Sequence, residues 1–118
     1  MQYSELHCIT NFTFLRGASH PHELVTMASN LGYRALAITD ECSLAGVVKA
    51  HVATFNRNIK LIIGSEFKID SHKIIVLVTN RNSYSKLSSL ITLARRRSEK
   101  GSYQIKWSDL KFNNDDLL

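Results

Sequence analysis

The side chains best equipped for chemistry fall in three short clusters at the ends of apolar runs: His7 with Cys8, Asp40-Glu41-Cys42, and Glu66 just past Gly64. Imidazole and carboxylates are the donors that suit zinc, manganese or iron. A bridged cluster of such ions hydrolyses phosphate esters by stabilising charge on both the attacking and the leaving oxygen. A second set is basic, Arg95, Arg96, Arg97 and Lys100, with Tyr84, Tyr103 and Trp107 nearby. Such residues contact a phosphate backbone and stack on bases.

Each cluster also has a plainer reading. A histidine at a strand end is commonly satisfied by a hydrogen bond, Asp40 can cap the helix that follows while Glu41 stays in solvent, and Glu66 can be an exposed turn carboxylate. Basic residues in the last turn of a helix interact favourably with its dipole by roughly 0.3 to 1 kcal/mol each. His20 and His22 flank Pro21 as a helix start, His51 reads as a core histidine and His72 as a turn residue. Cys8 and Cys42 come from adjacent strand ends, close enough in such a sketch to approach each other, although small buried thiols are the default.

The elements that must position these groups alternate along the chain. Ser4 to Ile9 reads as a strand and Asn11 to Gly17 as a loop. A helix follows, capped by Ser19 or His20 with Pro21 in its first turn, its buried stripe Leu24, Ala28 and Leu31 with Val25 and Met27 beside it, stopped by Gly32. Ala35 to Thr39 is a short apolar strand of the kind covered on both faces. Leu44, Val48, His51 and Phe55, joined by Val47 and Val52, predict a helix from Ser43 to about Asn56. Lys60 to Ile63 is a third strand, stopped by Gly64. Glu66 to Ile69 and Lys73 to Thr79 flank the turn Asp70-Ser71-His72 as a hairpin. Leu87, Leu90, Ile91 and Ala94 mark a long third helix ending in the basic cluster, with Gly101 beyond. Strand, helix, strand, helix, strand is the pattern of an α/β fold with parallel strands. In such folds ligands collect at the carboxyl ends of the strands, where the three clusters lie.

A chain of 118 residues has the length of one domain, and 44% apolar residues are enough for a core. That excludes wholesale disorder. Fifteen Lys and Arg against ten Asp and Glu leave +5, less basic than a dedicated nucleic-acid binder. Two cysteines make no disulfide framework and no Cys-x-x-Cys pair is present, which points to a reducing cytoplasm. The start of the chain lacks a signal-peptide pattern and no apolar run is as long as a membrane span. The close at Asp115-Asp116-Leu117-Leu118, where a further strand is expected, reads as a truncation.

In Glu5-Leu6-His7-Cys8, Asn11 to Pro21, Ile38 to Val48, Ile63-Gly64-Ser65-Glu66-Phe67 and Asn80 to Tyr84, the chain resembles the polymerase and histidinol phosphatase (PHP) domain family. The nearest branch is the one found at the N-terminus of bacterial error-prone polymerases related to the DNA polymerase III α subunit. The resemblance implies that residues 1–118 are the N-terminal part of a distorted, TIM-like, seven-stranded β/α barrel of mostly parallel strands. It also implies a trinuclear metal site at the carboxyl ends of those strands. Metal-binding members open with a His-x-His pair followed two residues on by Asp, and the matching positions here are His7, Ile9 and Asn11. In the second motif Thr-Asp-His becomes Thr39-Asp40-Glu41, and Glu66 matches the family glutamate.

His7, Asp40, Glu41 and Glu66 are thus the candidates for a weak or vestigial zinc or manganese site, and further family ligands are expected beyond Leu118. The catalytic aspartates of polymerisation belong to a later domain of the family, so no catalytic residue is assigned within this chain. The expectation is a non-catalytic module of a damage-tolerance DNA polymerase in the bacterial cytoplasm. Its partners would be the rest of the polymerase chain, DNA through that parent, and other replication or repair proteins, with no membrane. A metal-dependent phosphoesterase and a small nucleic-acid-binding module are the rivals. A half barrel with a raw sheet edge is also expected to self-associate.

Overall fold

A computed structural model describes residues 2–13 and 16–110. Phe14 and Leu15 of the second quoted motif, and the closing Asp115 to Leu118, lie outside the described residues. The elements are β1 (Ser4–Glu5), α1 (Pro21–Asn30), β2 (Ala35–Ile38), α2 (Val47–Ala53), β3 (Lys60–Ile69), β4 (His72–Leu77) and α3 (Arg81–Arg96), then a 3₁₀ turn at Trp107–Leu110. They build a curled four-stranded mixed sheet in the order β1-β2-β3-β4. β1, β2 and β3 run parallel, and β4 returns antiparallel to β3.

Helices cover one face of the sheet in two apolar layers. Val25, Ala28, Ala50 and Ala53 of α1 and α2 pack on Leu36, Ile38 and Ile59. Leu87, Leu90 and Ala94 of α3 pack on Phe67, Ile69 and Val76. Leu61, Phe67 and Ile69 of β3 thus point to the helices. By strand alternation Gly64 and Glu66 point the other way. All four residues of β2 are buried, as its unbroken apolar run predicts.

Several local expectations are corrected. The first strand shrinks to two residues because side-chain acceptors take Cys8 N and Thr10 N from its ladder, leaving one backbone bond to Thr39. Cys8 O accepts from Thr39 N at 2.7 Å, Thr39 Oγ1 accepts from Cys8 N at 3.1 Å, and Thr10 N turns to Asp40. Gly64 does not stop a strand: β3 runs through it for ten residues. Here glycine provides clearance, since an added Cβ would lie 2.4 Å from Val76 O and 2.8 Å from Leu77 Cδ2. α2 is seven residues long rather than the fourteen or so that the spacing suggests, and its buried face is Val47, Ala50 and Ala53. Val48, Val52 and Phe55 are exposed, and so is His51, which stands edge-on to Phe55 instead of entering the core. On α1 the buried residues are Pro21, Val25 and Ala28, while Met27 and Leu31 face outward. Small alanines lie where the two helices meet the sheet, so the larger apolar side chains are left outside. His72 opens β4 rather than sitting in the turn, which is made at Asp70 with φ 55°. Cys8 and Cys42 are free thiols in different apolar layers and do not approach each other.

The helix termini follow the expected chemistry. His20 caps α1, and its N–H donates to Glu23 Oε1 at 2.8 Å. Beyond α1, Gly32 takes the left-handed conformation at φ 78°. Asn80 caps α3 by accepting from Ser83 N at 2.9 Å.

Candidate functional site

The chain just past β1 and β2 meets the interior of β3 at Glu66, and Thr10, Thr13 and Arg16 lie over this junction. Asp40 is 1% exposed and faces that loop. Its Oδ1 accepts from Thr10 N at 2.6 Å and Thr13 Oγ1 at 2.6 Å, and its Oδ2 from Thr10 Oγ1 at 2.8 Å. Asp40 therefore does not cap α2, whose N-cap is Gly46. Gly46 instead lies against the carboxylate, since an added Cβ would come within 3.1 Å of Oδ2. Thr13 ties this cluster to its neighbour, because its Oγ1 also accepts from Glu41 N at 3.1 Å.

Glu66 is 2% exposed, within the strand and not in a turn. Its backbone is pinned by Glu66 N donating to Asp40 O at 3.0 Å and Cys42 N donating to Glu66 O at 2.8 Å. This sets Glu41 opposite Glu66 in an isolated parallel bridge. The Glu66 carboxylate accepts from His7 Nε2 at 2.8 Å and from both Nη atoms of Arg16, and Lys73 Nζ stands 3.9 Å away. Arg16 Nη1 also reaches Glu41 Oε1 at 3.1 Å, and the other Glu41 oxygen accepts from Tyr103 OH at 2.5 Å. Burial pushes the Glu66 carboxyl upward, but hydrogen bonds from Arg16 and His7 and the charges of Arg16 and Lys73 outweigh it, so the net shift is downward. The same pairing raises Arg16, and burial together with the Glu41 contact raises the Tyr103 phenol.

The structure thus brings Glu41 and Glu66 onto one guanidinium, with His7 on Glu66, and gives Asp40 a separate set of donors. Arg16, Thr10 and Thr13 are not singled out by residue type, and Tyr103 reads in sequence as a base-stacking aromatic and not as the partner of Glu41. The signal for the first three was position: they lie in the loop that must cross the strand ends. The basic cluster divides. Arg95 turns inward, with Nη2 donating to Cys42 O at 3.1 Å, Nη1 to Ser102 O at 3.2 Å, and its guanidinium 5.3 Å from the Tyr103 ring centre. Arg97 pairs with Asp109, while Arg96 and Lys100 are exposed. An open cleft lined by Phe12, Thr13, Glu41, Lys68, Arg95 and Tyr103 lies beside the acids.

These donors do not fit a divalent cluster. Three protein donors already engage Asp40, His7 and Arg16 engage Glu66, and Ile9 has no donor atom. Among the described residues no group of three or more His, Cys, Asp and Glu is arranged to hold a metal ion. Asn11 Oδ1 is buried without a partner, but one neutral carbonyl is a weak hard-cation donor. No helix among the described residues is long and apolar enough to cross a membrane.

The family model described as PHP domain matches residues 5–118. An error-prone DNA polymerase of Saccharophagus degradans is 57% identical over 119 residues, covering 100% of this chain and 12% of that protein. One from Dechloromonas aromatica is 57% identical over 111 residues, covering 93% of this chain and 11% of the relative. The chain corresponds to the N-terminal regions of such polymerases and spans only about a ninth of their length. Among solved structures, a proposed metal-dependent phosphoesterase from Bifidobacterium adolescentis aligns with TM-score 0.62 and 27% identity, over 80% of this chain and 34% of that one. An amidohydrolase from Chromobacterium violaceum, with bound sulfate and no metal, shares the fold with TM-score 0.63 at 22% identity, over 79% of this chain and 33% of its own. With its strand-end acids, its curled α/β sheet and a family match across nearly its whole length, this chain belongs to the PHP domain family.

Proposed function

We propose that the chain is the first part of a seven-stranded PHP barrel in a C-family, error-prone DNA polymerase, and that it works there as a non-catalytic scaffold. The observation that carries this reading is the saturation of the family acids: Asp40 and Glu66 are buried and hydrogen-bonded to Thr10, Thr13, His7 and Arg16. Carboxylates so engaged stabilise a strand-end layer instead of presenting free lone pairs to a metal and a phosphate ester. The names of the relatives support a parent that synthesises DNA, and we assign it to damage-tolerant translesion synthesis in the bacterial cytoplasm. Its partners are the rest of the polymerase, DNA through that chain, and other repair or replication proteins. Of the basic cluster at the end of α3, Arg96 and Lys100 are the exposed members placed to meet a phosphate backbone.

The rival with an observation in its favour is a metal-dependent phosphoesterase, the description carried by the 27%-identical structural neighbour. One experiment separates the two. Elemental analysis after mild purification, together with hydrolysis of bis-p-nitrophenyl phosphate in Mn²⁺ or Zn²⁺, should give sub-stoichiometric metal and no turnover that Glu66→Gln abolishes. Stoichiometric metal with Glu66-dependent hydrolysis overturns the scaffold reading.

A further inference from the structure

Glu41, just beyond β2, and Glu66, within β3, stand directly opposite one another in a parallel bridge. Neighbouring strands lie about 4.8 Å apart, and like charges facing each other across them destabilise the pair. Glu66 adds a second problem, since it is almost fully buried, and a buried carboxylate without a partner is strongly unfavourable. One side chain answers both: Arg16 Nη1 contacts Glu41 Oε1 at 3.1 Å and Glu66 Oε2, with Nη2 3.4 Å from Glu66 Oε1.

The backbone that delivers Arg16 is fixed in place. Arg16 N and Gly17 N both donate to Thr13 O, at 3.2 and 3.0 Å, and Thr13 N donates to Thr10 O at 3.0 Å. Gly17 lies so close to the chain that an added Cβ would come 2.0 Å from Thr10 O. The guanidinium is therefore aimed by a backbone tied to Thr13 and Thr10, the two residues that hold Asp40. Its planar fork presents several donors at fixed angles, so a single group can serve two carboxylates.

We propose that Arg16 is the resident cation of this site: its guanidinium does for Glu41 and Glu66 the charge-balancing work that a divalent metal would otherwise do, which makes the strand-end layer independent of metal. The inference deepens the scaffold reading and rests on it for its place in the parent, but the charge pairing itself is testable apart from any activity.

The test is a double-mutant cycle on the 118-residue chain, read by thermal unfolding. Arg16→Ala should lower Tm by roughly 5–15 °C, the shift for losing charge-assisted bonds to a buried carboxylate in a domain of this length. In a Glu66→Gln background the same substitution should lower it by less than half as much. Millimolar guanidinium, compared with sodium chloride at equal ionic strength, should raise the Tm of Arg16→Ala and leave the parent and the double variant unchanged. EDTA, Zn²⁺ and Mn²⁺ should not move the parent. Should Arg16→Ala fail to accumulate folded, Arg16→Lys paired with Glu66→Gln gives the same cycle, with a smaller loss. Additive effects of the two substitutions, or a parent Tm raised by micromolar Zn²⁺ or Mn²⁺, overturn the proposal. Phosphodiester hydrolysis with an intact cycle overturns the scaffold reading alone.

Discussion

Replacing Asp40 offers a graded test of how the strand-end layer is held. Its carboxylate takes three donors at 2.6, 2.6 and 2.8 Å while 1% exposed. A hydrogen bond to a charged group contributes about 1.5–3 kcal/mol, and a buried donor left alone costs about 1–3 kcal/mol. Asp40→Ala orphans Thr10 N, Thr10 Oγ1 and Thr13 Oγ1 together. Allowing for water entry and non-additivity, the loss should be about 3–5 kcal/mol, a large share of the roughly 5–15 kcal/mol that holds an ordinary domain. Asp40→Asn behaves differently. One amide oxygen can keep the two donors now on Oδ1, and the amide nitrogen meets Thr10 Oγ1, a hydroxyl that can turn and accept. That variant should lose about 1–2 kcal/mol.

The assay is urea unfolding. With m about 1–3 kcal/mol per molar, the alanine variant should shift the midpoint down by roughly 1–5 M and the asparagine variant by less than half of that. If Asp40→Ala does not fold at all, Thr13→Val removes one of the same bonds and the acceptor of Glu41 N. It should lose about 1–2 kcal/mol, less than additively with Asp40→Asn. An alanine midpoint within about 0.5 M of the parent, or an asparagine variant as weak as alanine, refutes the reasoning.

Three further outcomes can be stated. Gly64→Ala places a methyl 2.4 Å from Val76 O, so β3 and β4 must part locally; a loss of about 1–3 kcal/mol is expected in the same urea assay, and a neutral result would contradict the close approach. Because the Glu66 carboxyl is lowered from its ordinary value of 4.5, its contribution is complete above that pH and is lost as pH falls through the lowered value. The unfolding midpoint should therefore drop on acidification, and Glu66→Gln should flatten that profile, whereas an unchanged profile would mean the carboxylate is not held by charge. Finally, Val48 and Val52 of α2 and Phe55 just beyond it form an exposed apolar stripe, so the chain should self-associate at high concentration and Val52→Lys should reduce the mass seen by light scattering, an outcome a monomeric parent would rule out.

The apolar patterning of the chain determined the kinds of element and their order. The unbroken run at Ala35–Ile38 could only be a strand buried on both faces, and Leu87, Leu90 and Ala94 could only be one face of a helix. The motif positions likewise marked His7, Asp40, Glu41 and Glu66 as one cluster, although Glu66 lies within β3 and not at a strand end. What periodicity could not settle was which apolar residues go inside: on α2 the core takes Ala50 and Ala53 and leaves Val48 and Val52 in solvent, because the helix is seated close to the sheet. Gly64 reads in sequence as a stop, and only the approach of β4 reveals it as a clearance. The partners of the acids were equally hidden, since Arg16 lies fifty residues from Glu66 and Tyr103 sixty-two from Glu41. Hydrophobic pattern is a local property that one strand or helix displays alone. Charge neutralisation is a property of whatever the closed fold brings within hydrogen-bond reach, so only the tertiary structure could decide that a guanidinium holds these carboxylates.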